Sequence, residues 1–406
     1  MHNRNRMLII VSKSFEKNQN IRMNLTRRYW ILAASAIFTL TGLNSCKDYS
    51  PDTPFPDVYG QTVFVSSNNQ IVYAINPANA ERIWKFVVDG EVHATPVLNQ
   101  KALYVASTTG TVYKIDAQYG TETTKRSFGS SIVGTPYFYN NTMLLIAAGT
   151  KLHAVDPNTL DDIWVRDMGA PITASPTSHM INKIDTINVP VIFIAGTNNN
   201  VEAINSYGQV LWTFTPNEAG AFHSSPCVVN DSFLYVGNDN GKMYAVKTFD
   251  GVQKWSFSTA GQVRSSPIQI GGNVLFGSND RNFYSVDSAT GLLRWKVATA
   301  DIIQSSPAVF NQNVYFGGYD QNMYCVDIID GTVKWKQRTF GLIKSSPMIH
   351  NGDVYFGSFD KNLYRLDANT GGQKFVFNVN GQMVTSPILD TLGGAAVPSI
   401  SGNYRF

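Results

Sequence analysis

The chain has 406 residues, of which 15% are charged and 12% aromatic. That balance is too apolar for a disordered segment, and no apolar run suits a multi-pass membrane protein. The formal charge of +3 is local, because residues 1–46 hold seven of the 32 Lys and Arg but one of the 29 Asp and Glu. The remainder stands at −3 and lacks the basic footprint of a nucleic-acid binder.

In chain order, residues 1–22 read as an over-extended start, since Met23 would make a conventional one. Residues 23–45 read as a secretory signal: Arg27 and Arg28 precede the apolar stretch from Trp30 to Leu40, and small residues follow. The stretch is shorter than the ~20 residues of a spanning helix. Leu43-Asn44-Ser45-Cys46 resembles a bacterial lipobox, which makes Cys46 the expected lipidation site and first mature residue. Residues 46–60, polar and Pro-rich, read as a tether.

Residues 61–390 are one unit written eight times. Anchors recur at Tyr73, Tyr113, His153, Glu202, Tyr244, Tyr284, Tyr324 and Tyr364, mostly 40 residues apart. A second series, a Ser/Thr-Pro at Pro96, Pro136, Pro176, Pro226, Pro267, Pro307, Pro347 and Pro387, keeps the same register. Each unit reads as four short strands. In one of them the expected strands are Leu342 to Ile349, Asp353 to Gly357, Asn362 to Leu366 and Gln373 to Phe377. Radial repetition of such units predicts an all-β fold: a single eight-bladed β-propeller of four-stranded antiparallel blades. The first unit lacks its own Ser/Thr-Pro strand, and the eighth such strand, Gln382 to Leu389, arrives last. Pairing of the N- and C-terminal strands is therefore expected to close the ring. Residues 391–406 form a tail in which Tyr404 lies 40 residues after Tyr364, the mark of a vestigial ninth unit expected outside the ring.

Trp84, Trp164, Trp212, Trp255, Trp295 and Trp335 occupy one repeat position, with Thr124 and Phe375 in the other two units. Such regularity predicts packing joints between blades. The Asp/Asn series after each anchor, and Asp239, Asp280, Asp320 and Asp360, are expected to cap turns, because one acid per blade does not converge on a metal. Cys227 and Cys325 are expected as buried apolar residues, and His153 and Glu202 at blade surfaces. One repeat position varies in chemistry, three residues before each Pro: His93, Val133, Thr173, His223, Arg264, Gln304, Lys344 and Val384. At the channel mouth His223, Arg264, Gln304 and Lys344 would form a polar arc on four successive blades, with His93 as a further candidate, either a solvated rim or a ligand site.

The unit Tyr-x-Val-Asp-x-x-Thr-Gly-x-x-x-Trp, preceded by Ser-Ser-Pro and Val-Tyr-Phe-Gly, resembles the pyrroloquinoline-quinone (PQQ) enzyme-like repeat over residues 61–390. That resemblance implies two branches. One is the quinone- and calcium-dependent dehydrogenases, which grip the quinone with adjacent cysteines and an in-plane Trp; here no two Cys are adjacent. The other contains non-catalytic propellers, including the propeller lipoprotein of the outer-membrane β-barrel assembly machinery. The expectation is a lipid-anchored, monomeric, non-catalytic scaffold of the outer membrane, facing periplasm or cell surface. It would dock envelope proteins and would need no cofactor, no metal and no nucleic acid. The alternatives are a carrier or sensor with its ligand at the channel mouth, and a PQQ- and calcium-dependent oxidoreductase.

Overall fold

β-Branched and aromatic runs, interrupted by Gly, Asn and Asp turns about every ten residues, set the strands. The computed structural model describes residues 61–183, 186–229, 231–390 and 395–396. Among them there is no helix, and the strands form eight antiparallel sheets arranged as an eight-bladed β-propeller. The lipidation candidate Cys46, the signal segment and the tether lie outside the described residues, as does the tail apart from Ala395–Ala396.

One blade shows the plan. From channel to rim its strands are Met348–His350, Asp353–Gly357, Asn362–Asp367 and Gln373–Asn378. Asp353–Gly357 is buried throughout because a neighbouring blade covers each face, whereas the rim strand alternates between exposed and partly buried residues. Eight apolar clusters hold the ring, one between each pair of neighbouring blades. The core is thus distributed around the channel.

The inner strand is shorter than expected: the ladder begins at Met348, after Ser345-Ser346-Pro347. Pro347 has no N–H to give, and the residues before it bond sideways. Each residue preceding a repeat proline donates its backbone N–H to the hydroxyl of its counterpart on the next blade. Thr95 donates to Thr135 at 3.1 Å, Thr135 to Ser175 at 2.9 Å and Ser175 to Ser225 at 2.9 Å. Ser225, Ser266, Ser306 and Ser346 each donate to the next at 3.0 Å, and Ser386 returns to Thr95 at 3.3 Å. This unbroken belt is what the recurring Ser/Thr-Pro encodes.

The ring closes within one blade. Thr62–Ser66, Ile71–Ile75 and Arg82–Val87 receive Ile388–Asp390 as their inner strand, with Val63 opposite Leu389. Ala395–Ala396 then adds a fifth strand on the channel side of Ile388–Asp390 and lies against Met348–His350. The start of the tail therefore lies inside the ring, not outside it. Consistent with that cover, Ile388–Asp390 is wholly buried, whereas the equivalent inner strand Met348–His350 is only partly so.

The tryptophans are inter-blade joints. Each indole N–H donates to a carbonyl in the next blade's outer turn, as in Trp84 to Ala117 and Trp295 to Ile328, both at 3.0 Å. Trp164, Trp212, Trp255 and Trp335 make the same bond to Ser206, Thr248, Ser288 and Ala368. The glycine of that turn lies against the indole. Gly331 has φ +76°, and a Cβ there would stand 2.7 Å from the Trp295 ring. Where Thr124 replaces the tryptophan, the glycine position holds Leu160, fully buried at φ +65°. Small and large have exchanged across the joint.

Two anchors differ from expectation. His153 and Glu202 are buried, not at blade surfaces. Asp162 accepts from His153 Nδ1 at 2.9 Å and from Arg126 of the preceding blade at 2.6 Å. Glu202 accepts a two-pronged bond from Arg166 at 3.0 and 3.1 Å. These ion pairs bridge blades where the anchor Tyr is missing. The 49-residue repeat lengthens one hairpin, in which Thr177–Lys183 pairs with Thr186–Ala195.

The hairpin order sorts the loops onto two faces. Crossings into the inner strands and turns between second and third strands share one face, the mouth face. First-to-second turns, third-to-outer turns and the start of the ring at Thr62 share the other.

Candidate functional site

The mouth face carries the variable position, because each crossing delivers one side chain to the channel entrance just before the belt. On four consecutive blades the structure ties these side chains into two hydrogen-bonded groups. Thr173 Oγ1 and His223 Nδ1 lie 2.7 Å apart, and His223 Nε2 is 3.5 Å from Asp239 Oδ2. Arg264 grips the same carboxylate through Nε at 2.9 Å and an Nη at 2.7 Å. Gln304 donates to Asn279 at 3.3 Å and accepts from Tyr319 at 2.8 Å, while Asn279 also donates to Gln262 at 2.9 Å. His93 stands apart and pairs with Glu91 at 2.8 Å.

Lys344 is different. Among the described residues no carboxylate pairs with it, although its side chain reaches the channel solvent. Burial of its surroundings and the nearby Arg264 guanidinium both hold its pKa below the ordinary lysine value. His223 is also held below its usual value, first by burial, with Arg264 and Lys344 adding to the shift and Asp239 opposing it. The Asp239 hydrogen bonds raise Arg264, and burial pushes the Tyr319 hydroxyl up to about 12. These mutual effects bring His223, Arg264 and Lys344 into one electrostatic neighbourhood. Asp239 offsets Arg264, so the unbalanced charge is the ammonium of Lys344. Four residues before it, Phe340 is 91% exposed on the same face.

Sequence reasoning does not single out the partners Asp239, Asn279 and Tyr319 as mouth residues. All three fall two residues after the glycine of the second strand, in turns facing the mouth. By type, Asp239 falls among the acids expected to cap turns. Asp280, by contrast, accepts from Asn282 N–H at 3.0 Å and from the Tyr284 hydroxyl at 2.6 Å. The equivalent of Asp280 in the Asp239 turn is Asn240, which donates to Tyr244 at 3.1 Å. A one-residue offset in the repeat alignment is the signal that distinguishes them.

The residues present do not fit the quinone and calcium of the dehydrogenase branch. Cys227 and Cys325 are separate, free and buried. Every repeat Trp has its N–H committed to a neighbouring blade. Among the described residues no three His, Cys, Asp or Glu side chains gather closely enough to hold a metal. What the mouth can do chemically is hold an anionic group against one ammonium inside a hydrogen-bonded rim.

The family model described as outer membrane protein assembly factor BamB matches residues 68–190, 197–302 and 284–403. Two curated relatives are each 24% identical. Tetrathionate hydrolase from Acidithiobacillus ferrooxidans aligns over 236 residues, 53% of this chain and 47% of that protein. BamB from Yersinia pestis aligns over 240 residues, 54% of this chain and 56% of that protein. The chain thus spans about half the length of the curated relatives it matches. Among solved structures, BamB from Moraxella catarrhalis superposes with a TM-score of 0.62 at 13% identity, covering 76% of this chain and 96% of that one. The computationally designed Ika8 protein gives 0.63 at 14%, covering 78% and 93%. At those identities the two structures speak to the fold alone.

Proposed function

We propose a non-catalytic docking role for this chain, which belongs to the family of the outer membrane protein assembly factor BamB. It is a propeller of the bacterial envelope, held at the outer membrane through Cys46, that takes a protein partner of the outer-membrane assembly process at its mouth face. The observation that carries this reading is the state of the mouth. Its crossing side chains Thr173, His223, Arg264 and Gln304 are engaged with partners, whereas Lys344 has no carboxylate partner among the described residues and Phe340 protrudes on the same face. An exposed aromatic and an ammonium on one crossing suit an acidic segment that also carries an apolar residue. The tetrathionate hydrolase match covers half of each chain, while the BamB family model runs through nearly the whole ring, so assembly is preferred over hydrolysis.

The test is site-specific. A photocrosslinker at Phe340 should capture an outer-membrane assembly protein from native membranes, and Lys344→Ala should reduce that capture. Absence of the crosslink, or its persistence at full strength in Lys344→Ala, refutes docking at the mouth. A second reading, a small acidic ligand held by Lys344, predicts that carboxylates raise the melting temperature of wild type but not of Lys344→Ala.

A further inference from the structure

The face opposite the mouth carries an uneven distribution of apolar side chains. On the turns between third and outer strands, four consecutive blades present Tyr207, Phe249, Leu292 and Ile329, which are 77%, 57%, 69% and 73% exposed. Val252, Leu293 and Val333 at the feet of the outer strands extend the same arc and are also exposed. The corresponding turns on the two blades that follow are polar, Asn369-Thr370 and Ala78-Asn79. Repeat geometry therefore does not require apolar residues here. Apolar side chains exposed at the same turn on four successive blades mark this side of the ring as a candidate contact surface. The charge around the arc is mixed: exposed Asp250 and Asp330 follow Phe249 and Ile329, and exposed Lys247 and Lys254 flank it on one blade, where long stems can lie along apolar surface with their ammonium groups in water.

The same face receives the chain from its amino-terminal side. Thr62 opens the ring there, sixteen residues after Cys46, a length that spans at most roughly 55 Å. A lipid on Cys46 would tether the ring from the side on which Thr62 opens it and raise the effective concentration of bilayer there.

We infer that the arc Tyr207, Phe249, Leu292 and Ile329 is a membrane-contact surface that seats the propeller on a lipid bilayer with its mouth turned away. This orientation rests on the lipid-anchor reading, but the contact itself does not. Tyrosine with aliphatic neighbours and flanking lysines is the side-chain set that settles at a bilayer interface. The seated propeller would have its docking mouth on the side farthest from the membrane.

The experiment uses residues 47–406, which retain every strand of a ring closed by its own termini and omit the apolar signal segment. Co-sedimentation with vesicles of phosphatidylethanolamine and phosphatidylglycerol should show partitioning. A Tyr207→Ser/Leu292→Ser/Ile329→Ser variant should partition at least ten-fold less, and Lys344→Ala should match wild type. Unchanged melting of the triple variant, expected for exposed positions, keeps the comparison clean. No partitioning by wild type, or equal partitioning by the triple variant, overturns the inference. Loss of a self-associated state in the triple variant, with no change on vesicles, also overturns it and makes the arc a contact between copies. In cells, Cys46→Ser tests the anchor separately. If that variant is released while the triple variant still binds vesicles fully, the anchor stands and the face fails.

Discussion

Replacing Trp295 by Ala should destabilise the ring by about 3–5 kcal/mol, the usual cost of emptying a buried aromatic site. Trp295 is 8% exposed, is stacked with Phe283 at 6.2 Å and donates to Ile328 at 3.0 Å, so packing and a hydrogen bond are lost together. At about 2 °C per kcal/mol for a large domain, melting should fall by about 6–10 °C. The joint also makes a sharper prediction. Gly331→Leu alone should be severe, because its Cβ would stand 2.7 Å from the Trp295 ring at φ +76°. The blade pair with Thr124 and Leu160 already carries the exchanged arrangement, with Leu160 buried at φ +65°. Trp295→Thr/Gly331→Leu should therefore be more stable than the sum of its singles by at least about 1 kcal/mol, a coupling typical of residues in contact. Calorimetric or denaturant melting of the four proteins measures it. Strict additivity would falsify the claim that these two positions trade volume across a blade joint.

Three further outcomes follow from named contacts. Ser346→Ala deprives the Ser306 N–H of its belt acceptor and should cost about 1–3 kcal/mol in denaturant unfolding, unlike a Ser→Ala change on an exposed outer strand. His223 titrates below its usual value in the fold, so its contribution to stability should be complete above ~6.5 and decline as pH falls; His223→Gln should flatten that slope between about pH 7 and 5. Arg264→Ala should destabilise, because it strips the two-pronged partner from a mostly buried Asp239, whereas Lys344→Ala should melt like wild type; equal melting of the two variants would contradict the pairing.

The propeller is legible in the sequence because two markers with different physical jobs repeat in register. One is the anchor Tyr, whose hydroxyl reaches the turn acid in three blades, and the other is the belt residue before each Pro. The inner strand is shorter than its sequence suggests because a hydroxyl belt and a strand ladder both look like a polar–apolar run ending in Pro. The mouth is half legible. Its crossing residues stand out by variability, yet Arg264 meets Asp239 and Gln304 meets Asn279, each 25 residues earlier on the preceding blade. Those contacts join different repeat positions on neighbouring blades, so aligning equivalent positions does not reveal them. The same pairing leaves Arg264 committed to Asp239 rather than open to a ligand. His153 and Glu202 are hidden for a related reason: a charged residue at a Tyr position looks exposed until its partner on another strand is known.

Ring closure also fixes an order of events. The Ser66 hydroxyl lies 3.0 Å from that of Thr385, 319 residues later, and Val63 pairs with Leu389. A chain made amino end first holds its opening three strands without an inner neighbour until almost every other blade exists. Uniting the two ends is entropically mild, since each doubling of such a loop adds only about 0.6 kcal/mol. The wait is the larger burden: an uncovered strand edge stays available to other chains throughout synthesis. A product cut short before Ile388 would hold that vulnerable state permanently, because Ile388–Asp390 is the strand that covers the edge.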